Sequence, residues 1–207
     1  MQELNIKQLV LGMLRTNSYI VYNEKNEAII IDPANNFTKI INTLSELDLD
    51  LKAILLTHGH FDHIGAVPDL RKEYNVKVYA YEEEEVILAN SAYNLSGIYG
   101  GEPFGIKADI YVKDNEIIEL IGYKFKVIYT PGHTIGSCCY EMTDYGVLFS
   151  GDTLFCESHG RYDFPTGSGR SIIKSIKERL MILPLDTRVL PGHNEATTIG
   201  DERKWYA

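Results

Sequence analysis

The sequence predicts an α/β (α+β) protein built as a four-layer αββα sandwich. Three observations predict it. Short apolar strands run in series through each half of the chain, each series gives way to an amphipathic helix, and Gly, Pro or Asp closes strand after strand. Two such units bury their strands best by packing sheet on sheet with the helices outside. The 207 residues are read as one domain, 1–207, a length that buries about 70% of the surface its unfolded form exposes.

In the first half, Ile6–Leu11, Ser18–Tyr22 and Ala28–Ile31 read as strands, the last ending at Asp32-Pro33. Phe37–Leu47 carries apolar residues at 37, 40, 41, 44 and 47, a helical stripe. Ala53–Leu56 is a buried strand, and Ala66–Tyr74 is a helix with Pro68 in its first turn. Val76–Ala80 is a strand, and the acidic run Glu82–Glu85 reads as a helix N-terminus, where carboxylates suit the dipole. The Gly-, Tyr- and Ser-rich stretch Asn90–Lys107 is a surface loop or a short helix pair. Strands follow at Ile110–Val112, Glu116–Leu120, Lys124–Ile128, Ser137–Met142 and Val147–Phe149, then a helix over Ser171–Leu183 and a last strand at Arg188–Leu190.

Composition bounds the function. With 20 basic against 29 acidic residues the net charge is −9, which argues against nucleic-acid binding, where clustered Lys and Arg must neutralise phosphate. Met1–Val10 lacks the apolar core of a secretory signal. No apolar run approaches the ~20 residues that span a bilayer. Cys138 and Cys139 are strand neighbours pointing to opposite faces, and Cys156 makes the count odd, so reduced thiols and a cytoplasmic location are expected.

The chemistry gathers at strand ends. After the AILL strand comes Thr57-His58-Gly59-His60-Phe61-Asp62-His63, three imidazoles and a carboxylate within a few residues. Crowding these groups is costly unless a cation holds them together. Thr130-Pro131-Gly132-His133, Ser150-Gly151-Asp152 and Pro191-Gly192-His193 each end a strand in the same manner, with a His or Asp at the tip of a sharp turn. Five His and two Asp exceed what one tetrahedral ion takes and suit two. His58, His60 and His133 form one site, Asp62, His63 and His193 the other, and Asp152 bridges ions ~3.5 Å apart. Imidazole and carboxylate without thiolate favour two divalent ions, zinc first, with iron or manganese as alternatives.

Through THGHFDHIG (57–65), TPGHT (130–134), SGDTLF (150–155), GRYDFP (160–165) and PGHNEATTIGDER (191–203) the sequence resembles the metallo-β-lactamase superfamily, in its glyoxalase II-like branch. The motifs stand in the family's order over nearly the whole chain. The resemblance implies the αββα fold and assigns the metal ligands as paired above. Glyoxalase II enzymes acting on glutathione thioesters carry an added helical C-terminal domain. This chain ends at Ala207, soon after the last ligand, and FCESHGRYDFP (155–165) is similar to short bacterial relatives. A helical substrate domain is therefore not expected, and the thiol carrier need not be glutathione.

The expected activity is hydrolysis of a small-molecule thioester, an S-2-hydroxyacyl thiol. Two metals lower the pKa of a shared water, so that hydroxide attacks the carbonyl near neutral pH. Asp62 accepts the proton of the incoming water, and a thiolate leaves without a strong general acid because a thiol pKa is about 8.5. A mononuclear iron persulfide dioxygenase, a lactonase and a β-lactamase are the alternatives. His159 and Arg161 are candidate substrate contacts, His159 otherwise a plain loop residue and Arg161 otherwise a structural partner of Asp163. Cys156 and Ser158 have only His159 as a neighbouring base, which disfavours covalent catalysis. Tyr93, Tyr99 and Phe104 read as a lid or as packed surface aromatics.

Overall fold

The computed structural model describes residues 3–206. The first sheet has six strands in chain order, β1 (Asn5–Leu11), β2 (Thr16–Tyr22), β3 (Glu27–Ile31), β4 (Asp50–Leu55), β5 (Lys77–Tyr81) and β6 (Ile110–Val112). The pairs β1–β2 and β2–β3 are antiparallel, and β3 to β6 run parallel. The second sheet holds β7 (Ile117–Leu120), β8 (Tyr123–Tyr129), β9 (Cys138–Met142), β10 (Val147–Gly151), β11 (Arg188–Pro191) and β12 (Thr197–Thr198), in the order β12-β11-β10-β9-β8-β7. Only β10–β11 is a parallel pair there.

Strand alternation sorts the core into layers. In β3, Ala28 and Ile30 face outward under α1 (Phe37–Glu46), and Ile29 and Ile31 face the second sheet. A run buried on both faces must be apolar throughout, which is why this strand reads AIII. The outer layer of the first sheet is completed by α3 (Val67–Tyr74), with Val67 and Leu70 against Ile54 and Val78. Between the sheets lie Val21, Leu55, Phe125, Val127, Tyr140 and Phe149. Beyond the second sheet, Ile172, Ile176, Leu180 and Tyr206 pack on Ile128, Leu148 and Val189. The predicted αββα layering is the observed one, and each fully buried Ile or Leu contributes about 1.5–3 kcal/mol to holding it.

Several elements differ from expectation. The one-turn helix α2 (Phe61–Ile64) carries Asp62 and His63. The acidic run forms a 3-10 turn, Glu82–Glu84, that leads into the short α4 (Glu85–Ala89), and a single turn, α5 (Ser96–Tyr99), interrupts the Gly- and Tyr-rich stretch. The helix expected over 171–183 is α6 (Gly169–Ser175) followed by a π-turn, Ile176–Leu180, which keeps Ile176 and Leu180 buried. After it the chain adds β12 and α7 (Ile199–Tyr206), which the sequence analysis did not assign. The three cysteines are unpaired, with Cys138 in the inter-sheet core and Cys139 in the outer one, as alternation requires.

This topology decides where the chemistry goes. The parallel neighbours β3 and β4 present the loops after Ile31 and Leu55 at one edge of the first sheet. In the second sheet, β8 and β11 both run parallel to β10, β8 by way of two antiparallel steps through β9. The loops after Tyr129, Gly151 and Pro191 therefore emerge together. Backbone bonds close the two edges on each other: Cys138 N–H donates to Thr57 O (2.9 Å) and Asn17 N–H to Gly192 O (2.7 Å).

Candidate metal centre

The seven expected residues meet at this edge. His58, His60 and His133 each offer a donor atom within 4.8 Å of the others, and Asp62, His63 and His193 form a second group of the same kind. Asp152 stands between the groups. Its Oδ1 lies 3.4 Å from His63 Nε2, and its Oδ2 is 3.5 Å from His133 Nε2 and 3.6 Å from His193 Nε2. Asp62 Oδ2 is 3.5 Å from His63 Nε2 and 3.4 Å from His193 Nε2.

Neighbouring groups turn the rings. Thr57 donates its hydroxyl to Asp32 Oδ2 (2.6 Å), so its oxygen can accept only from His58 Nδ1 (3.2 Å). His63 donates from Nδ1 to Asp32 Oδ2 (3.0 Å), and His133 from Nδ1 to the Arg161 carbonyl (2.6 Å). Each bond leaves an Nε2 lone pair facing the centre, the form in which imidazole binds metal. His60 Nδ1 and His133 Nε2 face one another at 2.8 Å.

The electrostatics favour a cation. Burial, reinforced by the neighbouring imidazoles, holds His58 and His60 well below the usual imidazole range, and burial also lowers His133. Burial pulls His63 down as well, but Asp152, Asp62 and Asp32 together lift it well above that range, and His193 is raised by Asp152 and Asp62. Burial would raise the carboxyls, yet the imidazoles hold Asp62 at about 2 and Asp152 well below the carboxylate range. His58, His60 and His133 are thus neutral imidazoles beside ionised Asp62 and Asp152, while His63 and His193 favour their protonated form beside those carboxylates and would release a proton on binding a metal. His58 Nε2, His60 Nε2, His63 Nε2 and Asp152 Oδ1 are buried with no hydrogen-bond partner in the protein. Buried polar atoms without a partner are costly, and with one donor atom each of His58, His60 and His133 within 4.8 Å of the others, this set fits a divalent cation held by nitrogen and oxygen.

Space is equally constrained. A Cβ on Gly192 would sit 2.2 Å from Asp152 Oδ1 and 2.6 Å from His63 Cε1. Gly192→Ala is therefore expected to fold but to bind zinc roughly 10–100-fold more weakly, the range for disturbing the groups around a metal. Competition against a chromophoric chelator checks it, and unchanged affinity would show that the methyl finds room.

Two cavities of about 390 and 330 Å³ share Leu14, Phe61, Asp62, Tyr99, Arg161 and Phe164, and open over the centre. Arg161 lines this cleft while paired with Asp163 (2.9 and 2.7 Å) and lying 4.1 Å over the Phe164 ring. His159 turns aside, its ring against Tyr162 and Tyr206 and its Nδ1 2.9 Å from the Gly160 carbonyl. Of the aromatics read as a lid or as packed surface residues, Tyr99 reaches the cleft, whereas Phe104 packs against the outer core of the first sheet.

Sequence reasoning missed four contributors. Asp32 takes bonds from both Thr57 and His63, and Thr16 donates to Asp62 Oδ2 (2.8 Å). Asn17 clamps the last loop by donating to the Pro191 and Asn194 carbonyls (3.0 and 2.8 Å). Glu84 is fully buried behind the centre, where burial pushes its carboxyl up to about 7 against the pull of its hydrogen bonds. Asp32 alone left a signal, an acid at a buried strand's end.

An αββα sandwich with a His/Asp cluster at the shared edge of its sheets defines a class, and comparison with known proteins agrees with it. The chain belongs to the metallo-beta-lactamase superfamily, whose sequence signature matches residues 11–193. It is 33% identical over 208 residues to hydroxyacylglutathione hydrolase GloC of Haemophilus influenzae, covering 97% of this chain and 96% of that one. Among solved structures it is similar to the BLEG-1 B3 metallo-beta-lactamase (TM-score 0.92, 39% identity, 97% of both chains). It is also similar to TTHA1623 in a di-iron-bound form (TM-score 0.85, 32% identity, 96% of this chain and 97% of that one). No helix among the described residues is long and apolar enough to cross a membrane.

Proposed function

We propose that the protein is a dinuclear metal-dependent hydrolase of thioesters, with the glyoxalase II-like reaction of an S-2-hydroxyacyl thiol as its reaction class. The observation that carries the dinuclear reading is the position of Asp152, in contact with members of both donor groups. His58, His60 and His133 would hold one ion, Asp62, His63 and His193 the other, and Asp152 both. The likeness to a protein named hydroxyacylglutathione hydrolase supports the thioester assignment, and that to a di-iron-bound structure supports two ions and leaves iron beside zinc as the metal.

Bound divalent ions would supply a hydroxide near neutral pH and a Lewis acid for the carbonyl oxygen. The chain's own residues do the rest. Asp62, anchored by Thr16, would accept a proton at this edge. Phe61, Phe164, Leu14 and Tyr99 line the cleft with apolar surface that displaces water from an acyl or thiol arm. The leaving thiolate needs no donor, since a thiol pKa is about 8.5.

Metal analysis of the purified protein, followed by a panel of thioester, β-lactam, lactone and persulfide substrates, tests this. Two ions per chain and release of free thiol from a thioester are expected. One iron per chain with oxygen consumed on a persulfide would replace the proposal with a dioxygenase. Turnover of β-lactams alone would replace the substrate class.

A further inference from the structure

Glu84 lies behind the centre, at the end of the 3-10 turn, and its carboxylate takes hydrogen bonds from two loops of two different sheets. From the first sheet, Gly59 N–H donates to Oε1 (2.7 Å). From the second, Gly136 N–H and the Thr134 hydroxyl donate to Oε2 (2.9 and 2.8 Å). Gly59 stands between His58 and His60, and Thr134 follows His133. All three donors are neutral. A buried carboxylate without a cation is expensive, so the bonds it makes must be made well. The packing is close on both sides: a Cβ on Gly136 would lie 2.2 Å from Glu84 N, and one on Gly59 3.2 Å from Glu84 Oε1.

We propose that Glu84 is a positioning residue whose carboxylate clamps the His58–His60 loop to the His133 loop, setting the separation at which these three imidazoles meet as one metal-binding group. The inference rests on reading the three as metal ligands. Asp62, His63 and His193 have anchors of their own in Thr16, Asp32 and the Asn17-bound loop, although His63 is tied to the clamped loop through its N–H bond to the His60 carbonyl (2.9 Å). The clamp therefore bears directly on one group and only through the shared loop on the other, so its loss is unequal at the two sites, which a merely structural role would not produce.

Glu84→Gln keeps the side chain's volume but turns an amide NH2 toward a backbone N–H, donor against donor, on one loop or the other. Zinc titration of the metal-free protein against a competing chelator, run beside thermal unfolding of the metal-free form, reads the effect. In folded E84Q one zinc affinity is expected to fall about 10–100-fold, while the other moves by much less. Thr134→Val, which removes a single donor, is expected to give a smaller loss at the same site. Equal loss at both sites, or no loss in folded E84Q, would overturn the clamp. If E84Q does not fold, unchanged zinc affinity in T134V overturns it. Zinc uptake that survives His58→Ala at full affinity sinks the ligand reading, whereas uptake lost in H58A but intact in E84Q sinks the clamp alone. A wild-type protein that takes up no zinc overturns both.

Discussion

Asp152→Ala is expected to lower the metal content to less than half that of the wild type and to cut thioester hydrolysis by more than about 10³-fold. Losing one oxyanion-stabilising group alone costs about 10²–10³ in an acyl-transfer enzyme, and this variant removes the residue on which both donor groups converge. Asp152 touches His63, His133 and His193. Without its charge, five imidazoles and Asp62 would have to hold the two proposed dications with one carboxylate left in the set, and like-charge repulsion would disfavour the second ion. Folding should survive, because Asp152 lies on a loop at the sheet edge and not in any of the three apolar clusters. Metal analysis, far-UV circular dichroism and kcat/KM on the best thioester check it together. A folded D152A that keeps both ions and full activity would refute the two-ion centre.

The first sheet and most of the centre were legible because their signals are local. The strand Ala28–Ile31 is apolar on both faces, and the H-x-H-x-D-H run places four donors in one loop. The residues that aim those donors were not legible, because each acts across a long sequence separation. Glu84 sits in an acidic run between the exposed Glu82 and Glu85, and its contacts with Gly59, Thr134 and Gly136 separate it from them. Helix α7 was missed for a related reason. Its buried residues are Ile199, Glu202 and Tyr206, so the stripe is interrupted by a carboxylate that hydrophobic periodicity scores as exposed. Glu202 is buried because it accepts the Thr197 hydroxyl (2.6 Å) and the Glu157 N–H (2.8 Å), tying the strand-end loop after Asp152 to the helix.

The pair Asp32→Ala and Asp32→Asn should separate stability from metal binding. Asp32 Oδ1 accepts Thr57 N–H (2.8 Å), and Oδ2 accepts both the Thr57 hydroxyl and His63 Nδ1–H. Alanine strands these buried donors and must also adopt the positive φ of 49° that aspartate tolerates there. Breaking a buried, hydrogen-bonded charge of this kind costs about 3–5 kcal/mol, read as a lower urea midpoint. Asparagine tolerates the backbone and fills the space, yet neither orientation of its amide suits the site. With its oxygen on Thr57 N–H, its NH2 faces His63 Nδ1 and reverses that ring, putting the proton on the Nε2 that should face the metal. With the amide flipped, NH2 meets Thr57 N–H instead. D32N should therefore lose less stability than D32A while its zinc affinity falls about 10–100-fold. Nitrogen-15 NMR of the His63 ring in the metal-free protein reads the tautomer directly. A D32N protein with wild-type zinc affinity and an unchanged His63 tautomer would show that Asp32 serves the fold alone and leaves the metal centre to the ligands themselves.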